Sequence, residues 1–410
     1  MDDIKHLNGN YLTKYCKTPN YRRKINKKHK KISVYIGYDE DIINASVFEN
    51  VYCLTLTNCT CVVNTNELGN LHTLCLKGCK NISDVSMLGN IHTLDLSWCE
   101  NIKDVKDLRS VHTLNLSYCS NILDVTHLGN THHLTLNGCR NITNVDNLSH
   151  VHTLHFSECC GVTDFTKLGH NYELELSEND SVKDVSSLGN VHILDLHKCG
   201  LLRNVDALRT VYDLNLSKCC NLSDVSKLGS VHILNISDCD EIEDISNLGT
   251  VHTLNISDCS GIEDVSMLGN VYSLDLSDNN YLDVKNLINV KILNLADCEE
   301  IKNVNTLTNL ISLNIQNLNT RLYGDECLNS DVDVSKLHNL TELNIKGCYA
   351  IKDVGNLRKL KKLSTNHDVY GIHLLKNLES LIIAEYCYRL LKSAINKLRK
   401  INPNFVTNFI

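Results

Sequence analysis

The chain has 410 residues, 42% of them apolar and 21% charged, with 2 Pro, 1 Trp, 5 Phe and a net charge of −8. Apolar content at that level excludes a wholly disordered or collagen-like chain. No stretch reaches the roughly 18 consecutive apolar residues of a membrane-spanning helix, and residues 1–21 lack the apolar core of a secretory leader, so the cytosol or the nucleus is the expected compartment.

In chain order, residues 1–30 come first as a basic arm. Residues 1–31 hold ten Lys or Arg against two Asp, a charge of +8, which leaves −16 on the other 379. Arg22, Arg23, Lys24, Lys27, Lys28, Lys30 and Lys31 form a dense cluster. Such a cluster suits a nuclear localisation signal, a nucleic-acid arm or a solvated tail.

From Val51 to Asn270 the sequence aligns with itself in rows of twenty without a gap. Each row reads VxxLxLxxCxxIxDVxxLGN. The row Lys31–Asn50 fits loosely, through Val34, Ile36, Ile42 and Phe48. After Asn270 one row is a residue short, another carries an insertion near 319–329, and the register runs on to about residue 387, giving about 18 coils. Apolar residues at positions 4 and 6 alternate as in a short strand over positions 3–7. From position 9 the spacing is three (9, 12, 15, 18, 1), the period of 3₁₀ turns. Like strands joined by a fifteen-residue return are parallel, with right-handed crossovers. The expected fold is an α/β-type right-handed repeat solenoid with one parallel sheet on its concave face and short 3₁₀ turns on its convex side.

Segments such as Leu71–Asn90, LHTLCLKGCKNISDVSMLGN, resemble leucine-rich repeats, whose signature is LxxLxLxx(C/N), over about Ile32 to Cys387. The IxDVxxL half resembles the short internalin-like or phosphatase-regulator-like subclass. The cysteine resembles repeats of F-box-type substrate receptors, although twenty residues leave no room for the convex helix of that class. The Asn- and Lys-rich composition is similar to leucine-rich repeat proteins of giant amoebal DNA viruses. This resemblance implies a protein-binding scaffold that uses its concave face.

Three columns invite chemistry. Position 9 is Cys in twelve coils and Asn at 179 and 279. A metal or disulfide reading competes there with an inward ladder that satisfies backbone groups, and the ladder is favoured because a free Cys behaves as a small buried hydrophobe. So many thiols also suit a reducing compartment. Position 14 is Asp or Asn (Asp84, Asp104, Asp124 and on to Asp264), placed to cap a turn rather than to catalyse. Position 2 is His or Tyr, readable as a metal or pH-titrating column or as a stacked ring ladder; Tyr in the column favours the ladder.

Positions 3, 5, 7 and 8 vary and are expected to meet a partner. Trp98 and Tyr118 share position 8 of adjacent coils beside Asp95 and Asn115, readable as an interface anchor or as surface aromatics that fall together by chance. Asp238, Asp258, Asp278 and Asp297 fill position 8 of four successive coils, with Asp275 at position 5. Residues 231–300 hold 14 acids and 2 Lys. That column reads as a solvated face, a site for a basic partner, or a Ca²⁺-like site. Over 388–410, Leu390, Leu391, Ile395 and Leu398 fall on one helical face before Pro403, as expected of a capping helix, with a membrane or calmodulin-type helix as the other reading. There is no GxSxG, P-loop or HExxH motif, and no cofactor or metal is expected. The expected function is a non-enzymatic intracellular scaffold. The alternatives are a ubiquitin-ligase substrate receptor and nucleic-acid association through the basic arm.

Overall fold

In the computed structural model the structure describes residues 4–37, 45–60, 62, 64–280, 282–318 and 332–409. Ile42 and the 319–329 insertion lie outside them. The chain divides into two units, Met1–Cys199 and Gly200–Ile410.

Among the described residues the first unit carries ten parallel strands in chain order. From Cys53–Thr57 onward, position 4 of each coil lies opposite position 4 of the next: Leu74↔Leu94, Leu94↔Leu114, Leu114↔Leu134 and Leu134↔Leu154. A constant offset of one row keeps every Leu on the same face, as the period of two in a strand requires. Position 4 and position 6 side chains such as Leu94, Leu96, Leu114 and Leu116 are at most 1% exposed.

The return path follows the three-residue spacing bond by bond. Cys79 N–H donates to Leu76 O at 3.0 Å and Ile82 N–H to Cys79 O at 3.1 Å; after a break, Leu88 N–H donates to Val85 O and Ile91 N–H to Leu88 O at 3.0 and 3.1 Å. These are i→i+3 bonds, so eclipsed apolar residues share one inward edge. The coils thus have a sheet on one side and 3₁₀ turns on the other.

The basic arm is not a tail. Strand β1 (Lys5–Leu7) pairs in parallel with β2 (Ile32–Gly37), and helices α1 (Gly9–Lys17) and α2 (Pro19–Lys28) lie between them in sequence. Leu7 and Tyr15 are buried; Tyr15 stacks on Phe48 with centroids 6.4 Å apart and donates its hydroxyl to Asn26 Oδ1 at 2.8 Å. The physical reason is that Ile32, Val34 and Phe48 need apolar cover, which Leu7 and Tyr15 supply. Net charge hid two apolar anchors.

Among the described residues the second unit also has ten strands in its main parallel sheet. Leu274↔Leu293 spans the short row, and Leu313↔Leu343 spans the insertion with the ladder unbroken. Leu282–Asp283 and Ile301–Lys302 form a small separate parallel pair on the return side. Helix α3 (Tyr388–Ile401) buries Leu391, Ile395 and Leu398, an i, i+4, i+7 stripe, but Leu390 is 66% exposed. That corrects the four-residue face: 390 is one residue, or about 100° of helical turn, from 391, and falls outside the stripe. Beyond α3, Val406–Phe409 adds a strand parallel to Ser380–Ile383, so the tail is also built into the sheet. No helix among the described residues is long and apolar enough to cross a membrane.

Candidate interaction surface

The thiol column is structural. Cys99 and Cys119 donate Sγ–H to the position 6 carbonyls of the preceding coil, Leu76 O and Leu96 O, both at 3.1 Å. Where Asn replaces Cys it does more: Asn179 Nδ2 donates to Phe156 O at 2.7 Å and Leu176 O at 3.1 Å, while its Oδ1 accepts the Cys159 N–H. Burial pushes Cys79, Cys99 and Cys159 up to about 12. A thiol held protonated is a poor nucleophile and metal ligand. No disulfide joins the described cysteines, and no group of three or more His, Cys, Asp or Glu among the described residues converges to hold a metal.

The position 14 column caps turns, as read from the sequence. Asp84 Oδ1 accepts the Ser86 N–H at 3.0 Å, and Asp184 Oδ1 the Ser186 N–H at 2.9 Å. Those backbone bonds hold both carboxyls below the ordinary carboxylate value. The position 2 ladder is equally regular. In the first unit, rings from Tyr52 through His72, His92, His112, His132 and His152 to Tyr172 stack at centroid separations of 4.5–4.8 Å. Nδ1 of His72, His92 and His112 sits 3.2–3.3 Å from the hydroxyl of the next residue's Thr, which fixes each ring at the rim.

Position 8 holds what the sequence did not disclose: its backbone is left-handed. Trp98, Tyr118, Glu158, Lys198, Asp238, Asp258, Asp278 and Asp297 all have φ between 52° and 63°, and Gly78 and Gly138 occupy the same position at 72° and 73°. Each non-Gly residue in this conformation costs roughly 1–2 kcal/mol. The sequence signal was the appearance of Gly, Asn and Asp in a column otherwise free to vary.

Trp98 and Tyr118 stack with centroids 4.2 Å apart and 17° between planes. Trp98 is 43% exposed, whereas Tyr118 leans across the next coil and donates its hydroxyl to Glu158 Oε1 at 2.8 Å. Gly138 makes this possible, because a Cβ there would lie 2.4 Å from Tyr118 Cδ1. Arg140 pairs with the other Glu158 oxygen at 3.2 Å. The result is an ordered strip across four coils with an indole at its exposed end.

Asp95, Asn115 and Asp275 are half-buried and serve the backbone. Their Oδ1 atoms accept the N–H two residues on, from Ser97 at 2.9 Å, Ser117 at 3.0 Å and Ser277 at 3.0 Å. Asn294 Nδ2 also donates to both oxygens of Asp275 at 2.9 Å. Asp238, Asp258, Asp278 and Asp297 do form a column, in the second unit. Burial, then the charges of Asp238 and Asp278, raise the Asp258 carboxyl above its ordinary value. Asn317 Nδ2 donates to Asp297 Oδ1 at 3.0 Å.

The basic cluster divides. Arg22 donates to Cys16 O at 3.3 Å and Lys31 lies 5.0 Å from the Tyr52 ring centroid, so both serve the fold. Arg23, Lys24, Lys27, Lys28 and Lys30 are exposed. A further cluster went unread: His155 lies 3.5 Å from Glu173 and 3.4 Å from Glu175, and Ser157 Oγ donates to Glu175 Oε1 at 2.6 Å. Its signal was His155 at position 5 of one coil followed by Glu173 and Glu175 at positions 3 and 5 of the next.

A parallel strand bearing LxLxx(C/N), an inward Cys or Asn bonded to the neighbouring coil and a 3₁₀ return define these coils as leucine-rich repeats. No family model matches the chain, and no curated protein matches it in sequence. Among solved structures, the chain is similar to an internalin of Listeria monocytogenes strain 4b F2365, at 20% identity over 82% of this chain and 87% of that one, with a TM-score of 0.43. It is similar also to the functional domain of InlJ from Listeria monocytogenes, which includes a cysteine ladder, at 19% identity over 90% of this chain and 70% of that one, TM-score 0.39. A leucine-rich repeat protein of Leptospira interrogans matches at 17% identity over 100% of both chains, TM-score 0.42. Likeness this distant bears on no activity or partner, and the viral resemblance has no counterpart among these three.

Proposed function

We propose that the chain is a non-enzymatic, intracellular protein-interaction scaffold that binds its partner along the sheet side of the coils. The Trp98–Tyr118 stack carries this reading. An exposed indole held on an ordered platform is the kind of anchor around which interfaces concentrate their energy. The backbone at 98 and 118 would be served better by Gly, so the rings stand there at a conformational cost. Outliers of that kind gather at functional sites. The acidic column Asp238–Asp258–Asp278–Asp297 would favour a basic partner through charge complementarity. An intracellular home is supported by the thiol column, which would be at risk of mispairing under oxidising conditions.

The test is affinity capture with quantitative mass spectrometry, comparing the native chain with Trp98→Ala/Tyr118→Ala at matched circular dichroism. A partner enriched on the native chain and lost on the variant supports the scaffold reading, and equal recovery on both defeats it. A second reading, nucleic-acid association, draws on the five exposed cations from Arg23 to Lys30, on α2 and the two residues beyond it. It requires binding to fall steeply with salt and to vanish when those five are replaced by Gln.

A further inference from the structure

The rim column that carries rings through Tyr212, His232, His252 and Tyr272 changes character in the last coils of the second unit, where the same position is Lys291, Ile311, Thr341, Lys361 and then Glu379. The backbone is unchanged there: Leu343↔Leu363 and Leu363↔Leu381 continue the ladder. The fold therefore does not demand lysine at this rim. Residues 351–410 hold eleven Lys or Arg against four acids, a charge of +7, in contrast to the acidic stretch 231–300.

These cations surround an open cleft of about 880 Å³ between the last coils and the end of α3, with Lys359, Lys361, Lys376, Asn377, Asn402 and Asn404 among its lining. Lys361 pairs with Glu379 at 3.0 Å, and Lys359 donates to the neutral Asn339 Oδ1 at 2.8 Å. The Lys376 ammonium has no ion pair or hydrogen bond among the described residues. Three ammonium groups against one carboxylate leave the cleft with two uncompensated positive charges, and concave walls focus such a field. Arg399 and Lys400 in the last turn of α3, outside the cleft's lining, offset the negative end of its helix dipole. Among the described residues no aromatic ring lines the cleft, so none of them would stack on a nucleobase. Lysine without arginine suits phosphate met as a point charge rather than a carboxylate gripped by a planar fork.

We infer that this cleft binds a compact ligand carrying two or more phosphates, free in solution or presented as a lipid headgroup. The site is separate from the Trp98 strip and stands whether or not the scaffold reading holds.

The test uses the full chain and inorganic tripolyphosphate, measured by calorimetry and by thermal shift, with sulfate at equal ionic strength as the comparison. Saturable tripolyphosphate binding and a raised midpoint are expected, with a weaker response to sulfate. Lys359→Ala/Lys376→Ala should weaken binding by roughly ten- to a hundredfold, the cost of losing one or two charge-assisted contacts. Lys392→Ala/Lys397→Ala removes the same charge from the exposed side of α3 and should change affinity less than threefold. No binding at millimolar tripolyphosphate, or equal losses in the two double variants, overturns the site. Sedimentation with phosphatidylcholine vesicles carrying a phosphoinositide separates the sources. Pelleting lost in Lys359→Ala/Lys376→Ala assigns the headgroup, and tripolyphosphate binding without pelleting assigns the free ligand; both uphold the site.

Discussion

Gly138→Ala is the sharpest perturbation of the aromatic strip, because it acts on Tyr118 without altering either ring. Alanine at φ +73° costs roughly 1–2 kcal/mol in backbone strain. Its Cβ would stand 2.4 and 2.5 Å from Tyr118 Cδ1 and Cε1, so the ring must swing away. That motion gives up the 4.2 Å stack on Trp98, worth about 0.5–1.5 kcal/mol, and the bond to Glu158, worth about 1 kcal/mol at a half-exposed site. The expected total is about 3 kcal/mol, of which only the strain should survive when Tyr118 is already Ala. A double-mutant cycle over 138 and 118 should therefore show a coupling of about 1–2 kcal/mol. Urea titration followed by fluorescence is well suited to it, since Trp98 is the sole tryptophan and reports its own neighbourhood. Equal cost of Gly138→Ala in both backgrounds would show that Tyr118 does not lie over Gly138 in solution.

Leu154→Asp should unfold the coils around it, a loss above about 4 kcal/mol seen as lost circular dichroism, because Leu154 is fully buried and the carboxylate has no partner there. Thiol labelling with a disulfide reagent at pH 8 should reach exposed Cys160 and Cys220 first and the ninth-position thiols only on unfolding, given the raised values of Cys79, Cys99 and Cys159. The carboxyls of Asp164, Asp184, Asp224 and Asp244 are depressed by backbone N–H bonds, so their stabilisation is full above the unfolded value near 3.8 and is lost as pH falls through the lower folded values. Asp→Asn at these four sites, as at natural Asn144 and Asn204, should keep neutral stability and flatten the acid limb of a pH–midpoint curve. Burial and neighbouring imidazoles lower His72 and His112, so the ring ladder should lose stability as pH falls from 6.5 through the folded values. His72→Tyr/His112→Tyr should remove that loss, and an unchanged profile would refute the coupling.

The repeat was legible because one row specifies one coil, and identical rows must stack if any of them is to bury positions 4, 6, 9, 12, 15 and 18. The pairing Leu313↔Leu343 shows how strong that constraint is: ten extra residues leave the register of the strands intact. Cys and Asn exchanging at position 9 announced a shared hydrogen-bonding duty, and the bonds of Cys99 and Asn179 to neighbouring carbonyls are that duty. The elements flanking the coils were less legible for the opposite reason. Each occurs once, so Leu7 and Tyr15 had no column to mark them as inward and the surrounding lysines dominated the reading.

The surface was legible only as variability, and variability does not say which atoms are already spent. Asp95 and Trp98 are three residues apart and both vary between coils, yet the aspartate closes a turn onto the Ser97 N–H while the indole faces solvent. What separates them is backbone conformation. A residue in the strand can bend its carboxylate onto the N–H two positions on, whereas a left-handed residue at position 8 projects from the bend. The partner-facing positions of such a coil are therefore better sought where the backbone favours glycine and a large side chain stands instead. By that criterion Trp98 and Tyr118 outrank Asp95 and Asn115.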